Sequence, residues 1–97
     1  MIVVGKNIID EYYKKHADVK GALEAWHGEA VRADWKTPQD IKNRYSTASI
    51  LPGNVVIFDI KGNNYRLEVK VRYQNGLLQI LWVGTHHEYD KRNKGRK

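Results

Sequence analysis

The clearest pattern in the chain is an alternation. Tyr65, Leu67, Val69, Val71 and Tyr73 take turns with Arg66, Glu68, Lys70 and Arg72. This period-two spacing predicts a β-strand with one apolar and one polar face. Turn signals stand on both sides of it. Asn75-Gly76 is a favoured pair in two-residue hairpin loops, because both positions must accept positive φ. A loop of that kind sets Tyr73 opposite Leu78, Val71 opposite Ile80 and Val69 opposite Trp82. Upstream, Gly62-Asn63 can close a second tight turn, with Ile60 opposite Tyr65, Phe58 opposite Leu67 and Val56 opposite Val69. Every inward residue of both hairpins is then apolar, as a half-buried sheet requires of its register. The expectation is a three-stranded antiparallel meander. Its other face carries Arg66, Glu68, Lys70, Arg72 and Asp59 beside Leu77, Gln79, Leu81, Val83 and Thr85, half cationic and half apolar.

In the first half of the chain the period changes to that of helices. Ile8, Ile9, Tyr12 and Tyr13 recur within Asn7 to His16, with Asn7 as N-cap. Val19, Leu23, Trp26, Ala30 and Ala33 form a second apolar stripe that Asp18 can cap. Thr37-Pro38 reads as the cap and first position of a short helix through Arg44. Residues 1–4 are β-prone and suit an edge strand, and residues 46–54, with Pro52 and Gly53, read as a loop. Helices on one face of the meander would bury Phe58, Leu67 and Trp82, with Trp26 and Trp35 as packing rings. The fold class is α+β.

Composition narrows the possible functions. Ninety-seven residues suit one domain, 1–97. The absence of cysteine excludes a disulfide scaffold, a thiol nucleophile and a cysteine-based zinc site. No apolar run approaches the roughly 20 residues of a membrane span, and residues 1–6 are too short for a signal peptide. A protein of the cytoplasm, without membrane contact, is expected. The net charge of +6 is uneven: residues 1–50 hold 8 basic and 7 acidic side chains, residues 51–97 hold 9 and 4. Basic bias of this kind suits an anionic partner such as nucleic acid or an acidic protein. Residues 91–97 carry five cations in seven positions and read as a basic tail.

Candidate chemistry gathers where the last strand ends. Thr85-His86-His87-Glu88-Tyr89-Asp90-Lys91-Arg92 brings imidazoles, carboxylates, a phenol and cations into one segment. Cleavage of RNA by its own 2′-hydroxyl needs a base, an acid and a cation for the phosphorane. All these group types occur here, and the chemistry needs no metal and no cofactor. The alternative is that Glu88, Tyr89 and Asp90 open a surface helix, with Tyr89 packed on the sheet.

The stretch Phe58-Asp59-Ile60-Lys61-Gly62-Asn63-Asn64-Tyr65-Arg66-Leu67, followed by Val83-Gly84-Thr85-His86-His87-Glu88-Tyr89-Asp90-Lys91, resembles the HigB-type toxins. These are messenger-RNA interferases of type II toxin–antitoxin systems. Residues 33–42, Ala-Asp-Trp-Lys-Thr-Pro-Gln-Asp-Ile-Lys, fit as well, and the resemblance covers nearly the whole chain. It implies a RelE-like fold, with N-terminal helices on one face of a mainly antiparallel sheet and a short C-terminal helix or turn. It implies metal-independent cleavage of mRNA in the A site of the 70S ribosome. It also implies a HigA-like helix-turn-helix antitoxin, with operator DNA reached only through that antitoxin. The family histidine falls on His86, and Arg66 matches the sheet arginine. The expected catalytic set is His86, Tyr89, Arg66 and Lys91. Lys70, Arg72, Arg92 and Lys94 would hold RNA, while Glu88 and Asp90 orient the histidine or cap the last turn. A gyrase-inhibiting toxin of the ParE type and a plain basic RNA-binding module are the competing readings.

Overall fold

The structure, a computed structural model, describes residues 1–93 in full and the backbone of Lys94. The elements are β1 (Ile2–Val4), α1 (Lys6–Lys15), α2 (Lys20–Arg32), α3 (Pro38–Arg44), β2 (Ser49–Leu51), β3 (Val55–Ile60), β4 (Tyr65–Arg72), β5 (Leu77–Thr85) and α4 (His86–Lys94). The strands form one sheet in the order β1-β5-β4-β3-β2. β1 runs parallel to β5, and the other pairings are antiparallel. The chain is α+β, as its patterning predicts, and the architecture is consistent with a RelE-like fold.

One face of the sheet is closed by the first two helices. Val19, Leu23, Trp26 and Ala30 are all buried, so the apolar stripe does face the core. They meet Val56, Phe58, Leu67, Val69, Val71, Leu78 and Ile80 in one cluster. Phe58 is its hub: Trp26 meets it edge-on at 5.4 Å, Tyr45 edge-on at 5.1 Å, and Trp35 stacks at 6.1 Å. Burying a side chain of this size contributes about 1.5–3 kcal/mol. α3 begins as its sequence predicts, with a reciprocal cap. The Thr37 hydroxyl accepts from the Asp40 amide, and the Asp40 carboxylate accepts from the Thr37 amide.

Two expected caps are not made. α1 starts one residue before Asn7, and Gly5 stands at its N-cap with φ +90°. A β-carbon at Gly5 would lie 2.8 Å from the Ile80 carbonyl oxygen, so both the backbone angle and the close strand favour glycine. Asp18 does not cap α2, which leaves directly from a 3-10 turn at Ala17–Val19. Its carboxylate instead accepts from the Tyr65 hydroxyl at 2.6 Å and from Lys61 at 3.3 Å. Residues 46–54 are not all loop, since β2 pairs there with β3 as an edge strand.

The β3–β4 register is the expected one, with Phe58 opposite Leu67 and Val56 opposite Val69. The β4–β5 register differs. Tyr73–Asn75 forms a 3-10 turn that ends on left-handed Gly76, so the loop has four residues rather than two. Val71 then faces Leu78, and Val69 faces Ile80. A shift of two keeps the same side chains inward, so apolar alternation cannot separate the two registers. A bulge interrupts the pairing between Glu68 and Val69, with Leu81 as the extra residue of β5. One extra residue reverses the facing of every later position in its strand. Val83 therefore enters the core opposite Leu67, and Trp82 moves to the second face opposite Glu68. Both residues are the reverse of the expected arrangement. Arg66 faces Gly84 rather than Thr85, whose partner is Tyr65.

Candidate active site

α4 leaves the end of β5 and crosses the second face. Its start is fixed by the Thr85-His86-His87-Glu88 spacing, a reciprocal cap. The Glu88 amide donates to the Thr85 hydroxyl at 3.0 Å, and the Thr85 amide donates to the Glu88 carboxylate at 2.7 Å. The same carboxylate accepts from the Tyr12 hydroxyl of α1 at 3.2 Å. Hydrogen bonding to Thr85 holds the Glu88 carboxyl below the ordinary carboxylate range. Burial, together with the nearby Glu88, pushes the Tyr12 phenol up.

His86 is the first residue of this helix. Its backbone amide donates to the Asn64 carbonyl at 2.9 Å, which ties it to the β3–β4 turn. Its Nδ1 lies 3.3 Å from Asp90 Oδ2, one helical turn on, and the side chain is about half exposed (49%). The two acidic residues thus divide the roles expected of either: Glu88 caps and Asp90 pairs with the imidazole. Tyr89 packs 6.1 Å from Trp82, so α4 is also the surface helix of the alternative reading. Lys91 is exposed.

The arginines are more committed than their sequence positions suggest. Arg66 is only 15% exposed and pairs with Asp59 at 3.2 Å. It also donates to the Asn63 side chain at 2.8 Å and to the Asn63 and Tyr65 carbonyls. Arg92 bonds the buried Glu68 carboxylate at 2.5 Å and lies 4.7 Å over the Trp82 ring. Lys70 and Arg72 stand further along β4 on the same face as Arg66, with Arg72 exposed. The first four residues of the expected tail, Lys91–Lys94, belong to α4. The side chain of Lys94 and residues 95–97 lie outside the described part.

The fold brings together two segments about twenty residues apart in sequence. Arg66 pairs across the sheet with Gly84, and His86 bonds to Asn64. The turn of Gly-Asn-Asn-Tyr-Arg-Leu and the cap of Thr-His-His-Glu-Tyr-Asp are therefore one structural unit. The sequence pattern of the HigB toxin family, the RelE-like toxic component of a toxin–antitoxin system, matches residues 19–92. The chain belongs to the HigB toxin family. A comparison with curated proteins finds no match. As the toxin of such a system it has an antitoxin for a partner.

Some residues around this candidate site are not signalled by the sequence. Tyr12 and His16, both from the N-terminal helical segment, stack at 4.2 Å with their planes 8° apart, and Tyr12 reaches Glu88. Nothing in their local spacing points to α4, because the Glu88 partner of Tyr12 lies 76 residues away. Gly84 carries a signal only once the fold is known. A β-carbon there would stand 2.5 Å from the Trp82 ring, which lies across it. Among the described residues no group of three His, Asp or Glu side chains is placed to hold a metal ion, and no helix is long and apolar enough to cross a membrane.

Proposed function

We propose that this toxin is an endoribonuclease that cleaves mRNA on translating ribosomes in the cytoplasm, without metal, by acid–base catalysis. The observation that carries the reading is the His86–Asp90 pair on α4, the helix that also carries Tyr89 and Lys91 and is anchored to the Arg66 turn. An imidazole whose Nδ1 faces a carboxylate presents Nε2 as a base, with Asp90 stabilising the imidazolium that forms.

In this mechanism His86 Nε2 takes the proton from the ribose 2′-hydroxyl, and the 2′-oxygen attacks the adjacent phosphorus. Lys91 offsets the charge of the phosphorane. Tyr89 gives a proton to the departing 5′-oxygen, leaving a 2′,3′-cyclic phosphate and a 5′-hydroxyl. Arg66 acts mainly by holding the Asn63-Asn64 turn on which His86 is anchored. Lys70 and Arg72 hold flanking phosphates along β4. Arg92 holds α4 on the sheet rather than contacting RNA. The antitoxin partner is a HigA-like helix-turn-helix protein, and operator DNA is bound through it.

Primer extension on transcripts from cells in which the toxin is briefly induced tests this reading. Discrete cuts inside translated codons are expected. Intact transcripts with induced DNA damage would point instead to a gyrase-inhibiting toxin. Neither effect, with growth unimpaired, would leave a basic RNA-binding module.

A further inference from the structure

β1 pairs with β5 only at Leu77–Gln79. Toward α4 the neighbour of β5 is α1, and between them lies a cleft of about 460 Å³. The cleft opens beside the bulge, and Leu81, the extra residue, lines it with Trp82. The α1 side supplies Tyr12 and His16, and the rim holds Lys15 and Glu11. We propose that this cleft receives one unpaired base of an RNA strand held at α4. The proposal rests on the ribonuclease reading above and adds to it a base subsite formed largely by a helix outside residues 19–92, the stretch that the family pattern matches.

The chemistry of the lining favours a base over other occupants. The Tyr12 and His16 rings are parallel and stacked on each other at 4.2 Å, so a base extends the stack on an outer ring face, and Leu81 adds apolar surface. A nucleobase has flat apolar faces and a hydrogen-bonding edge. Stacking satisfies the faces, and it tolerates any base identity. An ammonium and a carboxylate at the rim, Lys15 and Glu11, offer a donor and an acceptor for the edge. Lys14, also exposed, pairs with Glu11 at 3.1 Å and holds that carboxylate at the rim.

Position gives the second argument. Two residues that line the cleft also touch α4. Tyr12 donates to Glu88, and Trp82 packs against Tyr89. A strand whose phosphate lies at His86 and Lys91 therefore has the cleft within reach of a neighbouring base. A base seated there would fix the register of the strand and bring one chosen 2′-hydroxyl to His86.

Short 2′-O-methyl RNA oligonucleotides test the subsite apart from cleavage, since they lack the attacking hydroxyl. One abasic residue is walked along the oligonucleotide, and binding is read by fluorescence anisotropy at low salt. For the wild type, an abasic residue at one position should weaken binding about tenfold, the scale of one stacked base. H16A should bind the intact oligonucleotide about tenfold more weakly and lose the discrimination at that position. K36A, which leaves the lining of the cleft intact, should retain the discrimination. Equal binding across the abasic series, or full discrimination in H16A, would overturn the proposal, as would no binding to any oligonucleotide. H16A with unchanged RNA binding but a weakened antitoxin complex would also overturn it and assign the cleft to the antitoxin. Cleavage of unmodified mRNA with a flat abasic series would sink the subsite alone. Position-dependent binding without any cleavage would sink the ribonuclease reading and keep the subsite.

Discussion

The two faces of the sheet are held by different physics. The face under α1 and α2 is closed by aliphatic and aromatic packing around Phe58, with Leu67, Val69 and Val71 fully buried. The face under α4 is held mainly by polar contacts, with the Tyr89 ring packed on Trp82. α4 contains no Leu, Ile, Val, Met or Phe. It is fastened by the Thr85–Glu88 cap, by the Tyr12–Glu88 bond, and by Arg92 on Glu68 and Trp82. Hydrophobic packing fixes shape over many contacts, while a polar latch depends on a few. The candidate catalytic side chains of α4 sit with the latch, on a platform that the packed face keeps rigid.

The largest effects should therefore come from the packed face. L67A should lower stability by about 3–4 kcal/mol in urea unfolding, through lost transfer energy and a residual cavity. A loss below about 1 kcal/mol would show that the core is not the rigid half. On the latch side, R92A removes the Arg92–Glu68 ion pair, at a cost of about 2 kcal/mol for a pair this partly exposed. The difference should be local. Amide exchange in α4 should quicken about thirtyfold while the buried amides of β4 keep their protection. Equal quickening in both would mean that the faces unfold as one. T85A, which removes one side of the α4 cap, should cost about 1 kcal/mol, again read in α4 exchange.

Titration sharpens the contrast at smaller amplitude. Hydrogen bonds hold the carboxyls of Asp18, Glu29 and Glu88 below their ordinary values. A depressed folded value contributes stability above the unfolded carboxylate range, and that contribution is lost as pH falls through the folded value. The phenols of Tyr12 and Tyr45 are raised by burial, and that of Tyr65 by its bond to Asp18. Their contribution is complete below about pH 10 and is lost as pH rises beyond it. Stability should form a plateau with an acid and an alkaline edge. E88Q should flatten the acid response of α4 exchange while leaving that of the Asp18–Tyr65 contact. An unchanged α4 response in E88Q would break the assignment of Glu88 as its cap.

The sequence is legible where two local signals agree. The β3–β4 hairpin comes from its alternation and its turn together, and α3 from Thr37-Pro38. The β4–β5 register departs from expectation by two residues because Asn75-Gly76 suits a short turn as well as the longer one, and alternation is blind to an even shift. The bulge is hidden because Leu81, Trp82 and Val83 are all apolar, so no polar residue marks where the facing changes. The candidate site is legible where it is contiguous, from Thr85 to Arg92. The assignment of Arg92 to Glu68, and the arrival of Tyr12 and His16 from the N-terminal segment, depend on contacts across the fold that no local spacing encodes.

We propose that the polar face performs proton transfer on RNA through His86. This is tested most directly by the rate at which purified H86A cuts mRNA in a translating extract, beside wild type, with matching circular dichroism and urea midpoints. A rate at least about 100-fold lower is expected, the scale of one lost acid–base group. Cutting as fast as wild type would contradict it.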